Sequence, residues 1–172
     1  DLFAEQDPTG DPVDTTDHIE PNQKPHAVSL RSTYPGLHRI RVEPPANRAV
    51  VRFPEGQVWT MEVSHDEHNT LTDDWSLYFY VPKGTKVVGG FTTSRRGVML
   101  DGDGKTVFSF GSLAPPAYFS VSVPEGQAGR FWKLTGGAGH SSRRILLTVP
   151  PFLARTPAEL LLPREVVEAD KQ

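Results

Sequence analysis

Apolar and polar residues alternate with a period of two along much of this chain, the signature of strands that bury one face. The clearest run is Trp75-Ser76-Leu77-Tyr78-Phe79-Tyr80-Val81. In it Trp75, Leu77, Phe79 and Val81 share one face, while Ser76, Tyr78 and Tyr80 share the other. Residues 118–123 repeat the arrangement, with Phe119, Val121 and Val123 opposing Tyr118, Ser120 and Ser122. Weaker alternation predicts strands over residues 27–30, 38–42, 49–53, 58–63, 86–91, 98–100, 106–110, 129–134 and 144–149. The adjacent Gly89 and Gly90 predict a bulge or a close backbone approach.

Three of these runs lead into one turn motif: Phe53-Pro54-Glu55-Gly56-Gln57, Val81-Pro82-Lys83-Gly84-Thr85 and Val123-Pro124-Glu125-Gly126-Gln127. Proline holds the φ required at the second position of a tight turn, and glycine two residues later supplies positive φ cheaply. Asp101-Gly102-Asp103-Gly104-Lys105 predicts a compact hairpin. One helix signal is present, Thr156-Pro157-Ala158-Glu159, a capping box with proline at the first helical position; Pro163 is expected to end that helix. The pattern predicts an all-β fold, a two-sheet antiparallel β-sandwich, jelly-roll-like. Residues 1–25 form an acidic linker or extended segment, 26–151 the sandwich, and 152–172 a tail with a short helical turn.

At 172 residues the chain suits one domain with tails. The absence of cysteine excludes a disulfide framework and thiolate-bound zinc. A net charge of −3 argues against nonspecific nucleic-acid binding. No apolar run is long enough to span a bilayer. No secretory signal opens the chain. It begins at Asp1 rather than methionine, which reads as a piece of a longer or processed protein. The opening segment sets Asp1, Glu5, Asp7, Asp11, Asp14, Asp17 and Glu20 against Lys24, with three prolines interrupting it.

Residues 78–149 resemble the bacterial pre-peptidase C-terminal type of β-sandwich. The resemblance rests on Tyr78-Phe79-Tyr80-Val81-Pro82-Lys83-Gly84, Asp101-Gly102-Asp103-Gly104-Lys105 and Tyr118-Phe119-Ser120-Val121. The ending, Thr148-Val149-Pro150-Pro151-Phe152-Leu153 with Pro163-Arg164-Glu165-Val166-Val167, is similar to C-terminal accessory domains of large secreted bacterial proteins. The resemblance implies a non-catalytic appendage, secreted, periplasmic or at the cell surface. Its implied partners are a polysaccharide or neighbouring domains of the same parent chain, with no nucleic acid and no membrane.

Sugar-binding sandwiches stack a pyranose on an exposed aromatic ring, and an aromatic is costly to expose without a ligand. The alternation turns Tyr78, Tyr80 and Tyr118 outward, and Trp75 stands beside them at a sheet rim. If the two aromatic strands were neighbours, these residues would form a glycan platform; burial under the other sheet or a terminal segment is the competing reading. Trp59 and Trp132 lie on apolar faces and are expected in the core. His65, His68 and His140 could serve a small metal-dependent or polysaccharide-active enzyme, but the His65/His68 pair lacks zincin spacing and a third ligand. No cofactor is expected. Asp101 and Asp103 resemble the start of a structural calcium loop without its remaining oxygens, so a plain turn is favoured. Arg95-Arg96 and Arg143-Arg144 are expected as loop or edge charges. A further reading has the apolar tail, residues 150–167, dock a neighbouring domain.

Overall fold

In the computed structural model of the chain, residues 17, 18, 20, 21, 23, 43–50, 66–69, 73, 137–141 and 172 lie outside the described part. The chain divides into two units, Asp1–Glu55 and Gly56–Gln172, so the observed division does not fall at residue 25.

In the first unit, Leu2 and Ala4 place two apolar side chains on one face, and both are buried. They belong to β1 (Leu2–Ala4), antiparallel to β2 (His38–Ile40) with Leu2 opposite Ile40. The opening segment therefore supplies a strand. On the other face of β1, the guanidinium groups of Arg39 and Arg41 lie 4.9 and 5.3 Å from the Phe3 ring centroid. The strand expected over residues 27–30 does not form: these residues are irregular, and Val28 is exposed. Of the strand expected over 49–53, Ala49 and Val50 lie outside the described residues and the rest is irregular.

The second unit is a two-sheet antiparallel β-sandwich. Its strands are β3 (Met61–Glu62), β4 (Thr70–Leu71), β5 (Ser76–Val81), β6 (Val87–Thr92), β7 (Val98–Leu100) and β8 (Thr106–Ser109). They continue with β9 (Ala117–Ser122), β10 (Arg130–Thr135), β11 (Ser142–Leu146) and β12 (Phe152–Leu153). One sheet runs β5-β10-β7-β8, and the other β4-β11-β6-β9. β12, paired with β3, joins the first sheet where Tyr78 and Ala154 exchange backbone bonds of 2.7 and 3.0 Å. Every connection except the β7–β8 hairpin passes from one sheet to the other. The strand expected over 58–63 shrinks to two residues, with Trp59 half-buried beneath Arg155.

The core follows from the alternation. Leu77, Phe79, Val81, Met99, Trp132 and Leu134 of the first sheet face Val88, Phe119, Val121 and Leu146 of the second. Each fully buried large side chain contributes about 1.5–3 kcal/mol relative to exposure. Phe79 meets Trp132 edge-on at 6.2 Å, and Phe110 meets Phe119 at 5.3 Å. Phe119 packs on the bare backbone of Gly90, where a Cβ would collide with the ring and with the Ile145 carbonyl. The glycine pair thus marks a close approach.

The repeated turns carry Gly56, Gly84 and Gly126 at φ of 79°, 77° and 75°. Proline stands at the first position, not the second: Pro82 and Pro124 accept from the N–H of Thr85 and Gln127 at 3.2 and 3.1 Å. The helix also differs from expectation. Pro157–Glu159 forms only a 3-10 turn, and α1 (Arg164–Ala169) begins after Pro163 instead of ending before it. A proline before the first turn removes no helical bond, so it starts a helix more readily than it continues one. The tail packs on its own sandwich: the Thr60 hydroxyl donates to the Glu159 carbonyl at 2.9 Å and accepts from the Leu161 N–H at 2.8 Å.

Candidate functional site

β5 buries Leu77, Phe79 and Val81 and turns Tyr78 and Tyr80 to the outer face; β9 buries Phe119 and Val121 and turns Tyr118 outward. The two strands lie in opposite sheets. Tyr118 and the β5 tyrosines are therefore on opposite sides of the sandwich, and no joint platform forms. Alternation fixes which way a side chain points but not which sheet its strand joins.

On the outer face of the first sheet, Tyr78 and Tyr80 are half-buried. Lys133 Nζ lies 4.8 Å from the Tyr78 ring centroid, and Phe131 packs at 5.2 Å against Tyr80. The Tyr80 hydroxyl donates to the carboxylate of Asp170, just beyond α1. Asp170 also accepts from the Lys83 N–H at 3.0 Å, and its carbonyl from Lys83 Nζ at 2.5 Å. Burial, then this hydrogen bond and the negative charge of Asp170, push the Tyr80 phenol up to about 12. The tail thus occupies Tyr80. Trp75 sits just before β5, half-buried and packed on the backbone of Gly136; its Nε1 is buried without a partner among the described residues.

The outer face of the second sheet differs. Tyr118 is 73% exposed, with Phe91 at 5.2 Å edge-on beside it and Ser120 and Ser122 following along the strand. This is the most open large aromatic among the described residues. Phe91 and Phe131 were not singled out from the sequence, because only inter-strand register sets them beside Tyr118 and Tyr80.

The acids of the 101–105 hairpin are engaged within the fold. Asp101 is buried, and its Oδ1 accepts from the N–H of Asp103 and Lys105 at 3.0 and 2.9 Å. Asp103 accepts from Arg130 Nη2 at 2.7 Å and from Gln127 Nε2 at 2.6 Å. The Arg130 hydrogen bond, with that of Gln127, holds the Asp103 carboxyl below its usual range. Among the described residues no group of three or more His, Asp or Glu side chains is placed to hold a metal. His68 and His140 lie outside the described residues, and His65 is in an exposed bend.

Arg144 departs from its expected place as an edge charge. β11 is an inner strand of its sheet, and its alternation sends Arg144 inward, to 1% exposure. Its guanidinium lies 4.1 Å from the Phe110 ring centroid, bonds the Thr92 hydroxyl, and donates to the Arg96 carbonyl at 2.5 Å. Burial lowers it to about 10. No carboxylate among the described residues pairs with it.

No helix among the described residues is long and apolar enough to cross a membrane. No protein-family model, curated protein or solved structure matches the chain.

Proposed function

We propose that Gly56–Gln172 is a non-catalytic accessory module of a secreted bacterial multidomain protein, binding polysaccharide weakly through the outer face of β9. The observation that carries this reading is the exposure of Tyr118, a ring left in water at 73% while the next residue, Phe119, is buried. A flat ring of this kind suits the apolar face of a pyranose, and the Ser120 and Ser122 hydroxyls beside it suit sugar hydroxyls. A single ring with few polar partners gives weak binding. The secreted, bacterial and pre-peptidase-like parts of the proposal rest on the turn-motif resemblance.

Tyr78, Tyr80 and Trp75 take a smaller part in this reading, since the tail engages Tyr80 and Gly136 covers Trp75. The reading in which residues 150–167 dock a neighbouring domain is weakened by the bonds that Glu159 and Leu161 make with Thr60 and that Ala154 makes with the Tyr78 backbone. Gel retardation and calorimetric titration against a polysaccharide panel test the proposal. Binding by the native chain, lost in Tyr118→Ala and kept in Tyr80→Phe, is the expected result. No retention by any glycan, or unchanged retention of Tyr118→Ala, would overturn it.

A further inference from the structure

Successive residues of an antiparallel strand turn their N–H and C=O groups to opposite sides. In β9 the phase is fixed by Val123, whose N–H donates to the Lys86 carbonyl at 2.9 Å. With the register running from Val87↔Ser122 to Thr92↔Ala117, it is Ala117, Phe119 and Val121 that bond β6. Tyr118, Ser120 and Ser122 direct their backbone groups away from the sheet, and no described residue bonds them there.

Among the described residues β9, at six residues, is as long as any strand at a sheet border: β5 equals it but is met by Ala154 at Tyr78, while β8 has four residues and β3 and β4 two each. Exposed edges are ordinarily protected by charge, proline or a bulge. β9 has no charged residue or proline, and its pairing with β6 shows no register shift.

We propose that β9 pairs antiparallel with β9 of a second copy of this chain, about a two-fold axis at Ser120. Setting Ser120 opposite Ser120 brings Tyr118 opposite Ser122 and Pro116 opposite Pro124. Each of the three facing pairs then exchanges two N–H···O bonds, and the two residues that lack an N–H face each other at the ends. Sliding by two residues instead sets Pro116 against Ser122 and leaves the Ser122 carbonyl without a donor. Charge is compatible as well: the paired strands are neutral, and Glu125 comes opposite Pro115 rather than another acid. On the outer face Tyr118 would lie between its own Phe91 and Ser122 of the second copy, with the exposed Val87 beyond. An isologous contact of this kind closes on itself and forms a dimer rather than a fibre.

The contact is independent of glycan binding, since it uses backbone groups while stacking uses the Tyr118 ring. Sedimentation equilibrium of the full chain from about 1 μM to 1 mM, the range suited to a small contact, tests it. A reversible monomer–dimer equilibrium is expected. Ser120→Pro removes the central donor at a position where an edge strand tolerates proline, and should abolish the dimer. Ser120→Lys and Ser120→Asp each place like charges opposite one another and should weaken it about tenfold or more. An equimolar mixture of the lysine and aspartate variants should regain it. Tyr118→Ala should keep the dimer, so failure of the glycan reading is separable from failure of this one. A monomer at all concentrations, a dimer indifferent to Ser120→Pro, or a charge-swapped mixture that stays monomeric would overturn the proposal.

Discussion

The indole N–H of Trp132 donates to the backbone carbonyl of Gln127 at 2.9 Å, while the Gln127 side chain reaches the 101–105 hairpin. Gln127 closes the third proline–glycine turn and is 8% exposed. Its Oε1 accepts from the Gly102 N–H at 3.0 Å. Gln127→Ala should cost about 1–3 kcal/mol by removing its bonds to the half-buried Gly102 N–H and to the charged Asp103 carboxylate. Gln57, at the same place in the first turn, is exposed, and Gln57→Ala should stay within about 0.5 kcal/mol. Urea unfolding followed by tryptophan fluorescence distinguishes the two.

Asp103 governs an acid-side dependence. Its folded carboxyl is held below the unfolded value by Arg130, so its contribution is present above the unfolded value, 3.8, and is lost as pH falls through the folded one. Asp103→Asn should flatten the acid limb of a melting-temperature profile and leave the slope near neutrality unchanged. An acid limb identical in both proteins would contradict this role.

Tyr80 should act at the alkaline end. With the phenol raised from 10.0 to about 12, its contribution is full below pH 10 and lost as pH rises through about 12. Absorbance titration of phenolate should show one late tyrosine, and Asp170→Asn should bring it earlier. Tyr80→Phe should remove it.

Arg144 is a buried cation held by a hydroxyl, a carbonyl and an aromatic face, without an acid among the described residues. Arg144→Ala should cost about 2–5 kcal/mol through the cavity it leaves, while the Thr92 hydroxyl keeps its bonds to the Ser94 carbonyl and N–H. Arg144→Met fills the space without the desolvation cost of a charge, and should lie within about 1 kcal/mol of the native chain or above it. Thermal unfolding by circular dichroism compares the three.

Gly90→Ala should destabilise by about 1–3 kcal/mol, because the added methyl meets backbone and the Phe119 ring together. Gly84→Ala meets no neighbouring atom, so any loss there reports only its positive φ of 77°. Chemical denaturation of both variants separates crowding from backbone strain.

What the chain announced depended on range. The faces of β5 and β9 were legible because a period of two is a local property, and the three glycine turns were legible because positive φ selects glycine. The separation of Tyr118 from Tyr78 and Tyr80 was not legible, since sheet membership is decided by partners far away in sequence. Arg144 is not legible as a core residue because an inward position on an inner strand looks, in one dimension, like an edge charge. Leu2 and Ala4 are obscured by the acids around them, and Pro163, which in sequence can end one helix or start another, here precedes α1. Of the four proposed stacking residues, only Tyr118 is held open; tail contacts formed over long loops decided the fate of Tyr80.

The crossing of nearly every connection between sheets has a consequence for how the chain is made. Among the described residues only β7 and β8 meet a sequence neighbour within the second unit; β5 waits for residues 130–135, and β6 for residues 117–122 and 144–146. During synthesis most strands therefore leave the ribosome before their partners exist, with apolar faces uncovered. Assembly is held back until β10 and β11 have been translated, and long-range closure makes it slow for its size. A nascent chain truncated before residue 130 lacks the strand that ties β5 to β7, and should be recovered as aggregate rather than as half a sandwich.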